Sequence, residues 1–214
     1  MSNLSMLPIH ELRTIFNLDV LIETGTEYGY GIDTGLKASF KEVYSCEILE
    51  NRYKKAQDKY KANDRVFLFN GASKDMLEVM LDMNSKQSAL FWLDAHLPNC
   101  HNPAGEYTIE DILPLIDELK IIAGHERNSK NDVIVIDDLC LVDEQFRNKD
   151  FDLQRWTHNK GSRDIAISNI KLVFNYHIWF KDIRAEGCLI GLPDKGEGVA
   201  FFDRLCKQYN LVRI

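Results

Sequence analysis

The chain has 214 residues, 45% of them hydrophobic, which suffices for one domain with a sizeable buried core. Its net charge of −7 speaks against a general nucleic-acid or membrane-surface binder, because such proteins meet phosphates with basic faces. The N-terminus MSNLSMLPIH lacks the charged start and apolar stretch of a secretory signal, and no apolar run is long enough to cross a bilayer, so a soluble cytoplasmic protein is expected. Cys46, Cys100, Cys140, Cys188 and Cys206 are scattered and never form a C-x-x-C pair, which suggests neither a disulfide framework nor a zinc knuckle. Cys46, Cys140 and Cys188 lie in apolar runs and read as small buried hydrophobes.

Taken in order, strand-like and helix-like segments alternate. Residues 2–18 carry a loose helical pattern (Leu4, Leu7, Ile9, Leu12, Ile15, Phe16) and are expected to form an N-terminal helical cap. A strand at 20–24 is followed by a short helix marked by Ile32, Leu36 and Phe40, then by a strand from Val43 to Cys46. Leu49, Tyr53, Ala56 and Tyr60 share one face of the next helix, and the lysines around them read as its solvated side. A third strand, Val66–Phe69, closes at Asn70-Gly71, with Ser73 as the expected N-cap of a helix that buries Met76, Leu77, Met80 and Leu81; Met83 is also expected in the core. Ala89–Leu93 is a continuous apolar strand. The run Ile109 to Ile122 predicts one amphipathic helix whose start is restricted by Pro114, with Thr108 or Asp111 at its cap, and Val133–Ile136 is the fifth strand. Beyond a polar stretch around 147–163 and an apolar one at 165–173, the runs 178–183 and 188–192 read as an antiparallel hairpin, and 199–209 as a final helix. Trp92, Trp156 and Trp179 read as core or partly buried anchors, although Trp156 with His158 is also placed to line a substrate site.

Uninterrupted apolar strands separated by helices imply a parallel sheet covered on both faces. The expected architecture is therefore a doubly wound, mostly parallel α/β sheet with helices on both faces and a C-terminal hairpin, forming a single domain over 1–214. In such sheets ligands bind outside the carboxyl ends of the strands, and here those ends collect polar and acidic groups. The first strand ends in Glu23 and breaks into Gly25, Gly29 and Gly31. A dinucleotide fingerprint begun at Gly25 would need glycine where Glu27 and Tyr30 stand, so that version fails. Glu47 ends the second strand, where a carboxylate accepts ribose hydroxyls; Asn70, Gly71 and Ala72 end the third, Asp94 the fourth, and Asp137 and Asp138 the fifth.

The E-x-G-x-x-x-G run from Glu23 to Gly29 resembles motif I of class I S-adenosylmethionine (SAM)-dependent methyltransferases. The stretches FWLDAHLPN, TIEDILPLIDELKII and DVIVIDDLCL also look like a group of bacterial methyltransferase-like proteins. The resemblance implies a Rossmann-like fold in which Glu23, Gly25, Thr26, Gly29 and Glu47 hold SAM, Asn70, Gly71 and Ala72 lie near adenine, and Asp94 borders the cofactor. It implies methyl transfer to an oxygen of a small hydroxylated acceptor; the charge argues for no nucleic-acid or membrane partner, and a homo-oligomer is left open. Asp94, Asp137 and Asp138 resemble the arrangement of catechol-type O-methyltransferases, which hold a divalent metal such as Mg2+ at the ends of strands four and five. Asp138 stands where those enzymes have an amide; its extra charge would tighten the metal or meet a cationic substrate group, while Asp137 could equally cap a helix. His96, two residues past Asp94, is placed to take the acceptor's proton as a base, with Asp94 as its catalytic companion. His101, with Asn99 and Asn102, is a candidate lid contact. Two rivals share this fold: a nucleotide-dependent oxidoreductase or hydroxylase-like enzyme, and a SAM- or nucleotide-binding protein without methyl transfer.

Overall fold

The structure, a computed structural model, describes residues 4–97, 107–126, 131–138, 177–182, 187–193 and 196–213. Five apolar segments form parallel strands: β1 (Val20–Thr24), β2 (Glu42–Glu47), β3 (Val66–Asn70), β4 (Ala89–Leu93) and β5 (Val133–Ile136). Three more, β6 (His177–Asp182), β7 (Leu189–Pro193) and β8 (Leu211–Arg213), extend the sheet antiparallel, giving the order β3-β2-β1-β4-β5-β7-β6-β8. The doubly wound sheet and the antiparallel pair are as expected from the sequence. The three-residue β8 is an addition, too short to carry an alternating pattern.

Because successive strand residues face opposite sides, each central strand feeds two cores. Val20 and Ile22 of β1 join Ala89, Phe91 and Leu93 of β4 under α4 (Ser73–Met83) and α6 (Leu115–Gly124). Leu21, Leu90 and Trp92 point the other way, under α1 (Ile9–Phe16), α2 (Tyr30–Lys37), α3 (Glu50–Tyr60) and α7 (Gly196–Tyr209). Phe91 is fully buried, so truncating it to alanine costs about 3–5 kcal/mol. The chain winds outward from β1 to β3, then returns through α4 to β4 on the other side of β1. That reversal opens the crevice at the carboxyl ends of β1 and β4.

Four local expectations change. The N-terminal segment is split at Pro8 into a single 3-10 turn, Leu4–Met6, and α1, because proline tolerates only the first turn of a helix. Ala72, not Ser73, is the N-cap residue of α4, and its cap carries no side-chain hydrogen bond. Met83 is exposed at the end of α4, while Met80 is buried. The helix expected over 109–122 is two: α5 (Ile109–Ile112) and α6, with Pro114 at the N-cap of the second. The expected cap at Thr108 is present on α5, where Asp111 N–H donates to Thr108 Oγ1 and Thr108 N–H to Asp111 Oδ2 (3.3 and 3.0 Å). Cys46, Cys188 and Cys206 are buried free thiols. Trp92 is buried as expected. Cys100, Cys140, His101, Trp156, His158 and the segments 147–163 and 165–173 lie outside the described residues, as does the side chain of Trp179.

Candidate active site

The turn after β1 is built from the inside out. Gly25 has φ +87, and a Cβ there would stand 2.7 Å from the backbone oxygen of Asp94. The position therefore demands glycine twice over, for its left-handed backbone and for its contact with the end of β4. The N–H groups of Gly25 and Thr26 donate to Cys46 O (3.0 and 3.1 Å), which binds the turn to β2 as well. Thr26 and Ser45 lie 2.6 Å apart at their hydroxyls, and Ser45 in turn donates to Glu23 Oε2 at 2.5 Å. Glu23 is 1% exposed, and a Cβ on Gly31 would run into its carboxyl, so the glycine at the start of α2 makes room for the acid. Burial pushes the Glu23 carboxyl up to about 8, with Glu47 and Asp33 adding to the shift and Ser45 opposing it. Gly29, with φ +79, is the N-cap of α2 and meets the Tyr60 hydroxyl at 2.8 Å through its carbonyl oxygen.

At the end of β2, Glu47 is nearly buried and accepts from the N–H groups of Glu27 and Leu49 (both 2.9 Å), one on each oxygen. These bonds fix the carboxylate, while each oxygen keeps a lone pair for a ligand hydroxyl. Asn70 is turned back by its side-chain donation to Glu47 O (2.8 Å), and Gly71 N–H donates to the same carbonyl (3.0 Å). Gly71 and Ala72 are half-buried beside it. The groups expected to hold an adenosine-bearing ligand thus ring the ends of β1, β2 and β3.

On the other side of the crevice a pocket lies between the ends of β4 and β5, Leu113 in the turn before α6, and α6 itself. Leu93, Leu113, Leu115 and Ile136 form its apolar wall; Asp94, His96, Asp137, Asp138 and Glu118 supply its polar groups. His96 sits between two acids, with Nδ1 3.4 Å from Asp94 Oδ1 and Nε2 3.2 Å from Asp138 Oδ2. Burial and the neighbouring charges of Asp137 and Asp138 raise the Asp94 carboxyl well above the usual carboxylate range. One ligand atom from each of Asp94, His96 and Asp138 can be chosen so that all lie within 4.8 Å of one another. An ion with bonds of about 2.1 Å sets its ligand atoms roughly 3–4 Å apart, so small side-chain rotations would close this set around a metal. The donors fit a divalent ion, with His96 in the group and Asp137 beside it as a pocket wall.

Glu118 is the site residue that sequence reasoning missed. It lies on α6, 1% exposed, and its Oε1 has no hydrogen bond among the described residues. Burial pushes its carboxyl up to about 7, while the nearby Ser73 and Thr24 hydroxyls work against the shift. The signal was present: Leu115, Glu118, Leu119 and Ile122 share one helical face, so the acid stands in the apolar stripe.

The strand order and the crevice at the switch point define a class: the chain has the Rossmann-like fold of class I SAM-dependent methyltransferases. It is similar to the SAH-bound methyltransferase of Podospora anserina, at TM-score 0.60 and 15% identity over 91% of this chain and 80% of that one. The O-methyltransferase TomG of Streptomyces achromogenes, solved with SAM, superposes at TM-score 0.56 and 13% identity over 91% and 82% of the two chains. The spermidine synthase of Thermotoga maritima also superposes, at TM-score 0.54 and 11% identity, over 96% of this chain and 64% of that one. At such identities the likeness establishes the fold. No family model matches the chain, and no curated protein does.

Proposed function

We propose that the protein is a SAM-dependent O-methyltransferase acting on a small hydroxylated acceptor. The observation that carries this reading is the contact of Gly25 with the Asp94 backbone. It brings the glycine turn of β1 against the start of the Asp94–His96–Asp138 pocket, so that a ligand on the turn and one in the pocket would be neighbours. Glu47 would accept the ribose hydroxyls, and Asn70, Gly71 and Ala72 would border the base. Glu23 and Thr26 would support the turn from beneath while Gly25 and Gly29 lie against the cofactor.

In the reaction an acceptor oxygen forms a bond to the methyl carbon as the carbon–sulfur bond breaks, and the electron pair of that bond returns to sulfur. Holding the two partners in line supplies much of the rate. The hydroxyl proton leaves to the carboxylate–imidazole cluster, where His96, oriented by Asp94 and Asp138, is suited to receive it. A divalent ion held by the same cluster would make the hydroxyl more acidic and steady the developing negative oxygen. The similar structures support the cofactor: one carries SAH and another SAM.

Calorimetric titration with SAM, on the wild type and on Glu47→Ala, tests the reading. Micromolar binding that weakens at least tenfold in the variant is expected, followed by methyl transfer in a screen of catechols, phenols and sugar hydroxyls. Absence of SAM binding in every condition would sink it, and tight binding of a nicotinamide cofactor would favour an oxidoreductase.

A further inference from the structure

We infer that Asp94, His96 and Asp138 form a mixed carboxylate–imidazole centre selective for a divalent ion of the Zn2+ class over Mg2+, with His96 as a direct ligand. This deepens the proposed reading of the same pocket and changes the role of His96 once the ion is bound.

The geometry supplies the donor set. The two aspartates come from the ends of adjacent parallel strands, and His96 is bracketed by them, each ring nitrogen 3.2–3.4 Å from a carboxylate oxygen. His96 would give one ring nitrogen to the ion, and one ligand atom each from Asp94 and Asp138 lies within 4.8 Å of it and of the other. Asp138 holds a left-handed backbone at φ +45, and its carboxyl is nearly buried against the ring.

A second observation lies on the facing helix. Glu118 lines the same pocket, and its Oε1 is buried without a hydrogen bond among the described residues, a polar group that an ion's bound water would satisfy.

The donor types decide the ion. Mg2+ takes oxygen ligands, keeps several waters and dehydrates reluctantly, and an imidazole in an apolar-walled pocket suits it poorly. Three protein ligands and an open fourth position have the ligand count of reactive zinc sites, and the imidazole favours the later first-row ions. An acceptor hydroxyl would take the open position.

The test uses the full chain, freed of metal by a chelator and titrated with Zn2+, Co2+ and Mg2+ in the absence of SAM. One equivalent of Zn2+ is expected to bind at least about 100-fold more tightly than Mg2+, and the Co2+ form to show the visible bands of a four- or five-coordinate site. His96→Ala should weaken Zn2+ by 100-fold or more and alter the Co2+ spectrum, leaving the weak Mg2+ affinity within about threefold. Asp138→Asn should also weaken Zn2+, and melting curves check that each variant folds; should His96→Ala not fold, His96→Gln is read instead. Equal affinity for Mg2+ and Zn2+, no stoichiometric Zn2+ site, or unchanged Zn2+ binding in a folded His96 variant would overturn the assignment. A Zn2+ centre without SAM binding would sink the methyltransferase reading alone, and SAM binding without the centre would sink this inference alone.

Discussion

Gly25 concentrates the demands of the site into one residue. An alanine there would have to hold φ near +87 and push its Cβ against the Asp94 carbonyl, and the strain would move the turn away from β4. Gly25→Ala is expected to cost about 1–3 kcal/mol in stability and at least tenfold in SAM affinity, read by denaturant melts and calorimetry on the same preparation. A variant that binds SAM like the wild type would separate the turn from the cofactor. The acids at the strand ends were readable from sequence because the end of an apolar run locates the sheet edge and a following carboxylate stands out. The pairing of His96 with Asp138 was not, since it joins residues more than forty positions apart across two strands. Glu118 escaped for the opposite reason, sitting inside a helix whose apolar stripe is strong enough to hide one acid.

At the scale of elements, the strands were the readable part because each is an uninterrupted apolar run, buried on both faces and bounded by polar groups. The break between α5 and α6 was not foreseen, as the spacing of Ile109, Ile112, Ile116 and Leu119 suits one continuous helix and only the Pro114 ring forbids it. The break matters because Leu113 and Leu115, on either side of that proline, both line the pocket. Asp111 secures the short first half: it bonds Thr108 through N–H and hydroxyl, and it pairs with Lys74 of α4 at 2.8 Å. Asp111→Ala should therefore lower stability by about 1 kcal/mol, most of it from the lost cap. Urea midpoints would measure it; a shift below about 0.3 kcal/mol would mean that α5 is held by packing alone.

For the whole molecule, two acids buried beneath the crevice couple the stability of the fold to pH. Glu23 is pushed up to about 8 and Glu118 to about 7, both chiefly by burial, whereas a carboxyl in the unfolded chain titrates near its usual 4.5. The folded state therefore holds more protons than the unfolded state between these limits, and stability must fall as pH rises through them. Their contribution is complete below about pH 4.5, is lost from both acids up to pH 7, and from Glu23 alone between 7 and 8. Each group contributes at most about 1.4 kcal/mol per pH unit, so the slope is steepest near pH 5–7. Glu118→Gln keeps the shape of the side chain and removes its charge, so its melting temperature should vary less over pH 5–7 than that of the wild type. Glu23→Gln should flatten the profile up to pH 8. Scanning calorimetry at unit pH steps decides it: profiles of wild type and both variants that run parallel would mean that neither acid is held protonated by the fold. If SAM or an ion in the pocket draws either acid into its charged form, adding that ligand should flatten the wild-type profile too, which links the titration of the core to the occupancy of the site.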